Sequence, residues 1–169
     1  MTASADYLVS PTSTVGAGLG AGLGGLIKVG AQRFKVQPGF EVTFSYSRRI
    51  LDGRHGMPFM LFSVAGGGSG ATTRQEGATA TAGLYAFDVR GGLTVGKTFW
   101  NTLSPYAAAR VFGGPVFWSY GGKSVLGGDQ YHFQVGLGMV TALKRGFDVF
   151  VEGIGAGERA LTLGVGKTL

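Results

Sequence analysis

From Tyr131 onward the chain alternates. Tyr131, Phe133, Val135, Leu137, Met139 and Leu143 fill one set of alternate positions, interrupted by Thr141, while His132, Gln134, Gly136, Gly138, Val140 and Ala142 fill the other. A strand turns successive side chains to opposite faces, so this spacing predicts a strand with one apolar face and one small or polar face. Lys144-Arg145-Gly146 then predicts a turn. Beyond it, Phe147, Val149 and Val151 alternate with Asp148, Phe150 and Glu152. After Gly155-Ala156-Gly157-Glu158-Arg159, Leu161, Leu163, Val165 and Leu169 alternate with Ala160, Thr162, Gly164, Gly166 and Thr168. Lys167 falls on the apolar side, where its stem can snorkel toward water.

The same period runs through earlier segments. Over 79–100, Tyr85, Phe87, Val89, Leu93, Val95 and Phe99 oppose Asp88, Arg90, Thr94 and Thr98. Over 39–49, Phe40, Val42, Phe44 and Tyr46 oppose Glu41, Thr43, Ser45 and Ser47. Residues 106–120 form a less regular strand containing Arg110 and Gly113-Gly114-Pro115, and residues 57–65 are apolar on both faces. Residues 15–24 place glycine at every even position, which suits either a strand or a helix with glycines four apart. A lone helix would leave the other strands without a closing neighbour, which favours the strand.

These segments number eight. Short links at 51–56, 101–105 and 144–146 alternate with longer ones near 28–38, 66–77, 121–130 and 155–159, as in an up-and-down membrane barrel. The expected fold is therefore all-β: one domain, 1–169, an eight-stranded antiparallel up-and-down transmembrane β-barrel. An even strand count would bring both termini to one side. About ten tilted residues per strand cross the hydrocarbon.

Composition agrees with strands. Glycine supplies 33 of 169 residues, which a helical chain would resist because each interior glycine costs about 1 kcal/mol. Hydrophobic residues make up 44% and aromatics 12%, without a disordered or collagen-like pattern. With no cysteine, disulfides and thiolate metal sites are excluded. The net charge of +6 is scattered near turns, not gathered into a stripe for nucleic acid. Met-Thr-Ala-Ser-Ala-Asp-Tyr lacks a signal-peptide pattern, so a mature chain with an added or retained methionine is expected.

Val-Gly-Leu-Gly-Met-Val, Asp-Val-Phe-Val-Glu-Gly and Ala-Leu-Thr-Leu-Gly-Val-Gly-Lys-Thr-Leu, between Tyr131 and Leu169, resemble the closing strands of small OmpA-like and OmpX-like outer-membrane barrels. The pattern extends more weakly over most of the chain. Such proteins usually end in an aromatic residue, whereas this chain ends in Leu169. The resemblance implies a bacterial outer-membrane location and contact with the lipid bilayer and lipopolysaccharide.

An eight-stranded barrel has an interior that side chains fill. Glu41, Asp88, Arg90, Arg110, Gln134 and Glu152 fall on the inward face and are expected to form a polar network plugging it. Phe99, Trp100 and Tyr106 flank one turn, and Trp118, Tyr120 and Tyr131 flank a loop at the other end, as two aromatic girdles would. Arg74 and Lys123, on expected loops, suit lipopolysaccharide phosphates.

No cofactor or metal is expected, because two histidines without cysteine make a poor zinc set. His132-Phe133-Gln134 has Gln where barrel lipid A deacylases carry a Ser nucleophile, so no catalytic residue is assigned, even with Glu152 on the adjoining strand. His55 is expected in a solvated turn. Gly66-Gly67-Gly68-Ser69-Gly70 lacks the Lys-Ser/Thr of a phosphate loop and reads as flexible. The leading expectation is a non-enzymatic, monomeric envelope module, structural or recognising a protein partner through its loops. Three alternatives stay open: a narrow ion or water pore, a soluble lipocalin-like carrier with the faces inverted, and a lipid-modifying enzyme.

Overall fold

Turn chemistry sets where the strands end. Gly53 and Gly146 take left-handed backbone at φ 73° and 75°, and Arg145 joins them at φ 65°. These positions frame single 3-10 turns at Arg54–Gly56 and Lys144–Gly146. The structure, a computed structural model, describes residues 1–77, 79–120, 123–157 and 159–168, and all their side chains except His55 and Tyr120. The expectations placed on the side chains of His55 and Tyr120, and on the terminal Leu169, lie outside the described residues.

Among the described residues, thirteen strands form one antiparallel sheet. They are β1 (Thr2–Ser10), β2 (Ser13–Gly22), β3 (Gly25–Val29), β4 (Gln32–Val36), β5 (Gly39–Asp52), β6 (Phe59–Gln75) and β7 (Thr81–Gly96). They continue as β8 (Leu103–Gly113), β9 (Pro115–Tyr120), β10 (Lys123–Gly128), β11 (Phe133–Ala142), β12 (Phe147–Gly157) and β13 (Ala160–Lys167). Among the described residues no helix is long and apolar enough to cross a membrane, which does not bear on strands.

The expected closed barrel of eight strands does not form. The sheet path runs β1-β2-β5-β6-β7-β8-β11-β12-β13, nine strands, and remains open with β1 and β13 as its edges. The cause is β1, a strand absent from the eight. Its ladder from Thr2↔Gly20 to Leu8↔Thr14 occupies one edge of β2, and β5 occupies the other. A strand has two edges, so β13 finds none free on β2 to close the cylinder.

The ninth strand also changes the parity. The Met1 carbonyl accepts from the Ala21 amide at 2.8 Å at one end of the sheet, while the Thr168 amide donates to the Gly146 carbonyl at 2.8 Å at the other. The two termini lie at opposite ends.

Most of the longer links expected as loops are strands too. Residues 66–75 continue β6, the 28–38 link holds most of the β3–β4 hairpin, and β10 lies in the 121–130 link. The β3–β4 hairpin extends β6 through Phe34↔Gln75, and the β9–β10 hairpin extends β7 through Leu84↔Trp118. Phe34 and Trp118 meet edge to face at 4.7 Å, and the Trp118 indole donates to Thr73 Oγ1 at 2.7 Å. This buried cluster fastens the two hairpins together.

Register assigns every strand two faces. One carries Leu19, Phe44, Val89, Leu137 and Leu163, each exposed, with Leu137 at 70% and Leu163 at 71%. The other carries the buried residues Ala108, Phe112, Gln134 and Glu152, the last two at 3% and 7% exposure. No helix or second sheet covers that side among the described residues. Burial on one face of a single sheet requires it to curl, with the small and polar set inside.

Candidate functional site on the inner face

Three strands build the main cluster. Tyr106 and Arg110 stand on β8 and Glu152 on β12, with β11 between them. The residues of β11 that fall beneath are Gly136 and Gly138, in register with Ala108 and Tyr106 respectively. Because these two carry no side chain, groups from the flanking strands meet across the gap. A Cβ at Gly138 would collide with the Tyr106 ring and hydroxyl.

Arg110 engages Glu152 with both arms, Nη1 to Oε1 at 2.6 Å and Nη2 to Oε2 at 2.7 Å. The Tyr106 hydroxyl donates to Glu152 Oε2 at 2.9 Å. The carboxylate thus receives three bonds and the guanidinium is held in fork geometry, the arrangement that makes such pairs strong. Burial sharpens the dependence, because either ion without the other would be an uncompensated charge away from water.

A second pair lies further along the same face. Arg90 Nη2 contacts Asp88 Oδ2 at 3.2 Å, and the guanidinium sits 5.4 Å from the Phe112 ring centroid. Arg90 Nε is buried and has no hydrogen-bond partner among the described residues. Asp88, Arg90 and Phe112 line a cavity of about 340 Å³ with Glu41, Thr43 and Asp129.

Of the six residues assigned to the inner network, Arg110 with Glu152 and Asp88 with Arg90 are brought into contact. Glu41 stands across the cavity from the second pair, exposed. Gln134 is buried in register between Arg110 of β8 and Gly157 of β12. Tyr106, placed in a girdle from the sequence, belongs to the network. Its parity matches Arg110 on β8, a signal that alternation alone contained. Phe112 and Asp129 were also missed.

The other aromatic positions divide. Phe99 and Trp100 are exposed at the β7–β8 turn, with ring centroids 5.9 Å apart, and Tyr131 is exposed beyond β10. Trp118 is instead buried at 8% exposure against Phe34. His132 Nδ1 lies 3.3 Å from the Phe112 carbonyl, while Glu152 is engaged by Arg110 and Tyr106. No group of three or more His, Cys, Asp or Glu side chains gathers as a metal site among the described residues.

Comparison with protein-family models, curated proteins and solved structures finds no match.

Proposed function

We propose that the chain is a membrane-seated envelope module without enzymatic activity, its outer face against acyl chains and its inner face held by the ionic network, in a bacterial outer membrane. One observation carries the reading. Large apolar side chains remain exposed along the same face from β1 to β13, including Tyr7, Leu19, Phe44, Phe87, Val111, Leu137 and Leu163. An aqueous monomer rarely exposes a contiguous apolar patch beyond a few hundred Å². A bilayer makes this face favourable and leaves the polar set sheltered.

The two free edges add a condition. Hydrocarbon supplies no water for an unpaired strand edge, and each bare N–H or C=O there costs several kcal/mol. In the bilayer, β1 and β13 must therefore meet protein. This moves the expected partner contact from the loops to the sheet edges.

Refolded protein mixed with phosphatidylcholine vesicles tests the seating. The expected result is flotation with the lipid and retention after alkaline carbonate extraction. A monodisperse protein in plain buffer that ignores the vesicles would contradict the proposal and favour a soluble carrier.

A further inference from the structure

The outer face of β6 has a gap. Gly66, Gly68 and Gly70 occupy successive outward positions, each between two larger residues in register. Gly70 lies between Phe40 of β5 and Tyr85 of β7, Gly68 between Val42 and Phe87, and Gly66 between Phe44 and Val89. Gly66 and Gly68 floor a cleft of about 470 Å³ walled by Phe40, Phe44, Tyr85 and Phe87, and the Phe40 and Tyr85 rings close over Gly70 at its end. At the strand rise, Gly66 to Gly70 spans about 14 Å.

The same face leads from the cleft to a group of cations. Beyond Gly70, β6 presents Thr72 and then Arg74, which stands in register with Lys35 of β4. Two residues from Lys35, Arg33 stands in register with Lys28 of β3. Lys28, Arg33, Lys35 and Arg74 are all exposed, and none forms an ion pair among the described residues. Glu76, whose amide donates to the Arg33 carbonyl at 3.1 Å, is the neighbouring carboxylate. Like charges directly opposite on a sheet destabilise it. Two such pairs on adjoining strands call for an anion.

We infer that this face binds one anionic membrane lipid, with an acyl chain in the glycine-floored cleft and its phosphate among Lys35, Arg74, Arg33 and Lys28. The inference rests on the membrane-seated reading and adds a defined lipid site to it. Gly70 and Arg74 are four residues apart, about 14 Å, a gap spanned by the lipid's ester region and by the long cationic side chains. A neutral lipid would fill the cleft and leave the cation repulsion unrelieved. The phosphate supplies the selectivity.

Native mass spectrometry of the protein from mixed micelles of phosphatidylglycerol and phosphatidylcholine tests this. One bound phosphatidylglycerol should be preferred by about tenfold, in line with the attraction of anionic lipid for paired cations. The double substitution Lys35→Gln and Arg74→Gln should bring the two lipids to parity. Gly66→Leu should lower occupancy by both lipids several-fold. A Cβ at Gly66 meets only the Asp88 carbonyl at 3.5 Å, so the strand accommodates it. Lys144→Gln with Arg159→Gln, exposed cations away from the cleft, should leave the preference intact.

Equal binding of both lipids by the unaltered protein would overturn the inference. So would an unchanged occupancy in Gly66→Leu, or an equal loss of preference in the Lys144/Arg159 variant. Failure to float with vesicles would instead overturn the membrane seating, which keeps the two failures distinct.

Discussion

Glu152→Ala should lower the unfolding free energy by about 3 kcal/mol, the cost of leaving a sheltered cation unpaired. The change removes both arms of the Arg110 contact and the acceptor of the Tyr106 hydroxyl. Arg110 then has to find water or distort the sheet. Urea unfolding in detergent micelles, followed by tryptophan fluorescence, reads the loss as a lower midpoint with an unchanged slope. Because the two ions act as a unit, Arg110→Ala combined with Glu152→Ala should cost less than the sum of the single changes. Additive costs would mean that the bidentate pair does not organise this face.

Leu137→Arg should have an effect of similar size but only in lipid. Leu137 lies midway along β11 on the exposed apolar face. An arginine at the bilayer midplane of a strand costs about 2–4 kcal/mol. The folded fraction in phosphatidylcholine vesicles should fall accordingly during urea titration. An exposed arginine on a water-facing strand would be close to neutral, so no change in vesicles would count against lipid contact at this position.

The face assignment was legible because β5, β7, β11, β12 and β13 carry large side chains at alternate positions. Phe40, Val42, Phe44 and Tyr46 on β5 oppose Glu41, Thr43, Ser45 and Ser47, and register keeps the two sets apart. Strand β1 was missed because its first half alternates small residues, Ala3 and Ala5 against Thr2 and Ser4, with little hydropathy contrast, and Leu8 interrupts the polar set opposite Tyr7 and Val9. That one omission changed the fold class, since β1 takes the edge of β2 that closure requires. Residues 66–70 read as a flexible linker because glycine has no side chain to report a period. In the structure, cross-strand partners on both sides define their direction.

The ionic cluster was legible in part. Parity placed Arg110 and Glu152 on one face, but only pairing could show that Gly136 and Gly138 leave space between their strands. The buried Trp118 was not legible, since its contacts with Phe34 and Thr73 join segments distant in sequence. Long-range register, not local pattern, decides such contacts. A lone aromatic near a strand end therefore reads equally as a membrane anchor or as core.

The absence of cysteine makes a direct measurement possible. Single cysteines at Val42, Phe44 and Tyr46, and at Thr43, Ser45 and Ser47, can carry a nitroxide label in vesicle-bound protein. Accessibility to oxygen, which concentrates in the bilayer, should be high at 42, 44 and 46, while accessibility to a water-soluble nickel chelate should be higher at 43, 45 and 47. The reverse pattern, with the chelate reaching 42, 44 and 46 and oxygen collisions peaking at 43, 45 and 47, would contradict lipid contact by the apolar face.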